Sequence, residues 1–112
     1  MQSRPITENY SVSPQITPEE VADCKRAGFR SIICNRPDNE QPGQPSAASI
    51  RAAAEAAGLE FRFVPVISGQ MSATDVEEMS RALEELPGPV LAYCRSGTRC
   101  TILFAAVQNI RG

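Results

Sequence analysis

The sequence predicts an α/β domain with a small, mainly parallel sheet flanked by helices. Short apolar runs alternate with helix-length amphipathic stretches along the chain, which is the pattern of strand–helix–strand units. The helical stretches open on serine or threonine caps and close on glycine. At 112 residues and 42% apolar composition there is material for one modest core, hence a single domain.

The elements follow in order. Tyr10–Ser13 reads as a short strand. Thr17-Pro18-Glu19-Glu20 opens a helix with a cap, a proline in the first turn and a capping-box glutamate, and Gly28 closes it. Ser31–Cys34 is a buried strand. The breaker-rich segment from Arg36 to Pro45 fits an ordered functional loop and a flexible one equally. An alanine-rich helix spans about Ser46 to Ala57 and stops at Gly58. Phe61 to Val66 alternates as a strand should, with Pro65 placing its end near an edge or bend. Ser72 caps a third helix to about Leu86, with Val76, Met79, Leu83 and Leu86 on one face. Pro89–Tyr93 is the last strand, and a fourth helix starts near Thr98.

Composition excludes several kinds of function. Eleven basic against 13 acidic side chains leave a net charge of −2, without the basic surplus of a nucleic-acid or anionic-membrane binder. There is no histidine, which removes Ser-His-Asp and Cys-His catalysis and His-ligated metal sites. The four cysteines, 24, 34, 94 and 100, include no Cys-x-x-Cys pair, so neither a zinc knuckle nor a thioredoxin-type site is expected, and no dinucleotide fingerprint implies a cofactor. The polar start, Met1 to Tyr10, has no secretion-signal core, and the longest apolar run, Ile102 to Val107, is too short to span a bilayer. We therefore expect a cytoplasmic setting, where thiols stay reduced.

Ligands of parallel sheets bind beyond the carboxyl ends of the strands, which directs attention to the loops after Cys34 and Tyr93. The second reads Cys94-Arg95-Ser96-Gly97-Thr98-Arg99-Cys100: a cysteine at a strand end, four residues, then an arginine in the first turn of a helix. Backbone N–H groups of such a turn point inward, and the helix N-terminus adds partial positive charge. Arg99 offers a planar fork to an oxyanion. The loop residues Arg95, Ser96, Gly97 and Thr98 are thus an expected anion cradle with Cys94 at its base. For Cys94 to be mainly thiolate at neutral pH its pKa must fall by roughly 1.5 units, about 2 kcal/mol, which a helix terminus and a nearby arginine can supply together.

The loop resembles those of the cysteine-based phosphatases and the rhodanese sulfurtransferases. The wider chain is more specific. Tyr10-Ser-Val-Ser-Pro-Gln-Ile-Thr, Ile33-Cys-Asn-Arg-Pro-Asp-Asn-Glu, Pro42-Gly-Gln-Pro-Ser and Gly88-Pro-Val-Leu-Ala-Tyr-Cys-Arg-Ser-Gly-Thr-Arg resemble the phosphatase-like domain of the beta-lactamase hydrolase-like proteins, from about residue 8 onward. That resemblance implies a cysteine-phosphatase-like α/β fold and a partner domain, a metallo-hydrolase-type persulfide dioxygenase, from which this domain is cut or with which it travels. Against the family pattern, Cys34 replaces an asparagine and Cys100 a serine. The residue after the loop arginine typically donates a hydrogen bond to the nucleophilic sulfur, which puts Cys100 near Cys94. Both Cys100 and Cys34 are candidates for a resolving thiol, with buried packing as the alternative for each.

Two chemistries compete for this loop. Cysteine phosphatases normally carry five residues between cysteine and arginine, and need a general acid for the leaving oxygen. The candidates here are Asp75, which also suits a helix cap, and Asp38, with Arg36 as a substrate contact or loop-ordering residue. Sulfur transfer needs no such acid: Cys94 takes a sulfane sulfur from a small anionic donor and passes it to a thiol acceptor. Loop length and the missing histidine favour the sulfurtransferase reading, with phosphoester hydrolysis as the alternative and a non-catalytic anion-binding or redox-sensing module as the third. Cys24 is expected in the core beside Val21, and Glu77, Glu78, Glu84 and Glu85 on a solvated helix face.

Overall fold

Five strands, β1 (Arg4–Thr7), β2 (Tyr10–Ser13), β3 (Ser31–Cys34), β4 (Glu60–Phe63) and β5 (Val90–Tyr93), form one sheet in the order β1-β2-β5-β3-β4. The structure is a computed structural model and describes residues 1–111. All pairings are parallel except β1 with β2. The four helices are α1 (Val21–Arg26), α2 (Ala47–Ala56), α3 (Ala73–Glu85) and α4 (Thr98–Arg111). No helix among the described residues is long and apolar enough to cross a membrane.

The helices cover both faces of the sheet, so the inner strands are apolar on both sides, as parallel strands must be. Ile33 and Ala92 pack with Met79 and Leu103 of α3 and α4, while Ile32, Leu91 and Tyr93 pack with Val21, Cys24 and Ile50 of α1 and α2. Burial of each such aliphatic side chain stabilises the fold by about 1.5–3 kcal/mol. The middle strand is β5, between β2 and β3, and all four of its residues are buried. Its carboxyl end therefore opens at the centre of the sheet, with the loops that follow β3 and β4 beside it.

The structure refines several expected boundaries. The Thr17 cap is a complete capping box, but it opens a 3-10 turn, Pro18–Glu20, before α1 begins. The third expected strand ends at Phe63 rather than Val66. Val64 and Val66 still donate to Cys34 and Asn35 carbonyls at 2.9 and 3.0 Å, so Pro65 interrupts the ladder on an edge strand, where its missing N–H is tolerated. Strand β1 was not expected, since all four of its residues are exposed and show no apolar alternation.

Candidate active site

The loop after β5 is shaped by Gly97. Its φ of +92° lies in the left-handed region that other residues adopt only with strain. This turn aims the Gly97 N–H at Cys94 Sγ, 3.0 Å away, and starts α4 at Thr98. Ser96 Oγ accepts from the Thr98 N–H at 3.3 Å and donates to Thr98 Oγ1 at 3.0 Å, closing the first turn.

Cys94 is held as a thiolate. The Cys100 thiol beside it is the largest influence, and the backbone N–H groups of Cys100, Ser96 and Gly97 add to it; together they outweigh burial and lower the pKa from 9.0 to about 5. Hydrogen bonds to the charged form act in this direction. Cys100 is itself pushed well above its ordinary value by burial and by the neighbouring sulfur, so it stays a neutral donor. Its carbonyl accepts from Tyr10 Oη at 2.8 Å, which fixes the start of α4 against β2.

Arg99 is buried and reaches across the loop. Its Nη1 donates to Glu40 Oε2 at 2.7 Å and to the Val66 carbonyl at 2.9 Å, and its Nη2 to Glu40 Oε1 at 2.9 Å. Nε and the second Nη2 proton have no partner among the described residues, so one bidentate edge of the guanidinium is open. Glu40 also accepts from Arg36 Nε at 2.9 Å. These two arginines, Arg99 first, hold the Glu40 carboxyl at a pKa of about 2.

A cleft of about 880 Å³ opens over this arrangement, lined by Arg95, Ser96, Thr98 and Arg99 on the loop side, by Glu40, and by an aliphatic wall that includes Ile67, Met71 and Ile102. Cys94 is fully buried, beneath that lining rather than part of it.

The other residues singled out from the sequence lie elsewhere. Asp75 accepts from the Ser72 N–H at 3.0 Å in the capping box of α3 and does not line the cleft. Asp38 accepts from the Ala47 N–H at 2.8 Å at the start of α2 and faces a separate hollow beside Arg51 and Phe63. Arg36 is 2% exposed, donates to Glu40, Gln15 and Gln41, and orders its loop instead of facing the main cleft. Cys34 donates to the Arg36 carbonyl at 3.3 Å and packs on the α1–α2 face of the sheet, whereas Cys94 and Cys100 pack on the α3–α4 face. Cys24 is buried beside Val21. Glu40 is the site residue that the sequence reading missed. Its spacing from Arg36 hints at a local pair, but its main partner lies 59 residues away.

Comparisons with known proteins match this geometry to one family. The family model described as beta-lactamase hydrolase-like protein, phosphatase-like domain, matches residues 2–111. A beta-lactamase hydrolase-like protein of Xylella fastidiosa is 41% identical over 107 residues, 96% of this chain and 25% of that protein. The chain thus spans about a quarter of the length of the curated relatives it matches. The crystal structure of a candidate phosphatase from Neisseria meningitidis is 37% identical with a TM-score of 0.87, over 96% of this chain and 77% of that one. A P. aeruginosa TpbA variant in complex with pTyr, at 18% identity and TM-score 0.62 over 85% and 54% of the two chains, shares the fold.

Proposed function

Since this chain belongs to the phosphatase-like domain family of the beta-lactamase hydrolase-like proteins, we propose that it is a cysteine-dependent phosphatase in which the Cys94 thiolate attacks the phosphorus of a phosphomonoester. The observation that carries this reading is a sulfur at the carboxyl end of the central strand, held ionised by the Cys100 thiol first and then by loop N–H groups. A nucleophile with a pKa of about 5 is almost wholly thiolate at neutral pH. The phosphate oxygens compete for the loop amides, Gly97 first, and for the open edge of Arg99. Donors fixed in advance in this way stabilise the charge that develops on those oxygens in the transition state. The likeness to the Neisseria meningitidis candidate phosphatase supports the same reading. A cytoplasmic setting suits four free, reduced cysteines.

Two observations favour a second reading, sulfur transfer through a Cys94 persulfide. The loop has four residues between Cys94 and Arg99, and Glu40, the one carboxylate in the cleft, is held ionised and so is no proton donor. Release of sulfite or a thiolate from a sulfur donor needs no proton. On this reading a persulfide-oxidising domain is the expected partner.

The two are separated by one experiment on reduced protein: phosphate release from an aryl phosphate, alongside intact mass after incubation with thiosulfate or glutathione persulfide. Phosphate release that is lost in Cys94→Ser supports the phosphatase. A gain of one sulfur atom, lost in the same variant, without phosphate release, replaces it with the sulfurtransferase. Neither signal leaves an anion-binding module.

A further inference from the structure

The charges around the candidate nucleophile cancel. Arg36 and Arg99 are buried and positive, and Glu40 and the Cys94 thiolate are negative. Glu40 meets Arg36 from its own loop and Arg99 from α4, and the neighbouring segment Val66–Gly69 brings no charge. The remaining charged group lining the cleft is Arg95, which is exposed and screened by water. A dianion entering this site meets a set of net charge zero and a guanidinium whose end-on fork is already filled by a carboxylate. A monoanion can use the open edge of Arg99 with half the repulsion from Glu40 and the thiolate. The same cleft holds no neutral carboxyl for the leaving oxygen, because Asp75 and Asp38 cap helices outside it.

We infer that the cleft takes its phosphomonoester as the monoanion, that Glu40 sets this charge preference, and that the proton still on the substrate leaves with the alcohol. This rests on the phosphatase reading and adds the ionic class of the substrate. The step balances. Cys94 S⁻ and ROPO₃H⁻ give Cys94–S–PO₃²⁻ and ROH: the S–P bond forms, the P–O ester bond breaks with its electron pair on oxygen, and the P–OH proton moves to that oxygen. Water then attacks the phosphocysteine, returning Cys94 S⁻ and H₂PO₄⁻. Glu40 acts here as a specificity residue through Arg99 and takes no proton.

The test is the pH profile of kcat/KM on an aryl phosphomonoester. Such esters lose their second proton near pH 6, by the usual phosphate value of about 6. The rate should rise through the Cys94 pKa of about 5 and fall roughly tenfold per pH unit above the second pKa of the ester. Exchanging the ester for one with a different second pKa should move the falling limb by the same amount, a result that needs no variant. In Glu40→Gln the limb should remain, because the leaving oxygen still takes its proton from the substrate, but inhibition by inorganic phosphate at pH 8 relative to pH 6 should strengthen about tenfold over the wild-type ratio. A profile level to pH 8, a falling limb that stays fixed when the ester changes, or an unchanged pH dependence of phosphate inhibition in a folded Glu40→Gln protein would overturn the inference while leaving the phosphatase reading intact. No phosphate release at any pH overturns both.

Discussion

Both carboxylate oxygens of Glu40 meet the terminal nitrogens of Arg99, at 2.7 and 2.9 Å, from a loop 59 residues away in the chain. Arg36 Nε closes on the same carboxylate at 2.9 Å. One acid thereby ties the loop after β3 to the first turn of α4, and leaves the loop arginine a single free edge. Bidentate pairs of this kind fix orientation as well as charge.

Replacing Glu40 by alanine strands two buried guanidinium groups. Breaking a buried pair costs about 3–5 kcal/mol, and Glu40 is a quarter exposed, so a loss of about 2–3 kcal/mol is expected in urea denaturation at pH 7. The pH dependence has a definite sign. The Glu40 pKa falls from 4.5 to about 2 on folding, chiefly through Arg99, so its contribution is fully present above pH 4.5 and is lost as pH falls toward 2. The stability difference between wild type and Glu40→Gln should be level from pH 5 to 8 and shrink below 4.5. A difference that is unchanged at pH 3 would show that Glu40 is not held ionised by these arginines.

Cys94 gives the opposite end of the pH scale. Its pKa is lowered from 9.0 to about 5, so its ionisation stabilises the folded protein above pH 9 in full and ceases to do so as pH falls through 5. Between those values the difference between wild type and Cys94→Ala should grow with pH by up to about 1.4 kcal/mol per unit. Denaturation curves at pH 5, 6, 7 and 8 measure this slope, and the thiolate's ultraviolet absorbance gives the midpoint directly. A midpoint above 8 would remove Cys94 as an activated nucleophile.

Much of this arrangement is legible in the sequence because local chemistry and tertiary structure agree there. Ser46 and Ser72 announce their helices by capping, and Ser31–Cys34 is apolar enough to be an inner parallel strand. Cys94, Gly97 and Arg99 are readable because their spacing already constitutes a turn into a helix. Glu40 is not readable in this way, since a breaker-rich loop has no period and its partner is set by the order of strands in the sheet. The contacts of Asp75 and Asp38 differ in the same way. Asp75 sits in the first turn of α3 and accepts the cap N–H three residues back, which its spacing from Ser72 announces. Asp38 reaches the Ala47 N–H at the start of α2 from nine residues upstream, which no local pattern announces. Strand β1 is hidden for another reason, as an exposed edge hairpin needs no apolar face.

The residue after the loop arginine is a further test of how the thiolate is held. The Cys100 thiol contributes most to lowering the Cys94 pKa. A hydrogen bond to a charged group is worth about 1.5–3 kcal/mol, so Cys100→Ala should raise the Cys94 midpoint by about 1–2 units. Cys100→Ser keeps a donor of similar size at that place and should return the midpoint to within about half a unit of wild type. Equal shifts in the two variants would mean that Cys100 acts by packing alone.

Oxidation should distinguish the two candidate resolving thiols. Mild peroxide converts the Cys94 thiolate to a sulfenic acid, releasing hydroxide, and a neighbouring thiol then displaces water to form a disulfide. Cys100 lies beside Cys94 on the α3–α4 face of the sheet, while Cys34 packs on the other face with its thiol donated to the Arg36 carbonyl. The expected product is therefore Cys94–Cys100. Arg95 and Arg99 separate these cysteines, and Arg81 separates both from Cys34, so trypsin places the three in different peptides and mass mapping reads the linkage directly. In Cys100→Ser the same treatment should carry Cys94 on to the irreversible sulfinic acid, with activity that thiols no longer restore. A Cys94–Cys34 linkage, or full thiol rescue without Cys100, would assign the resolving role elsewhere.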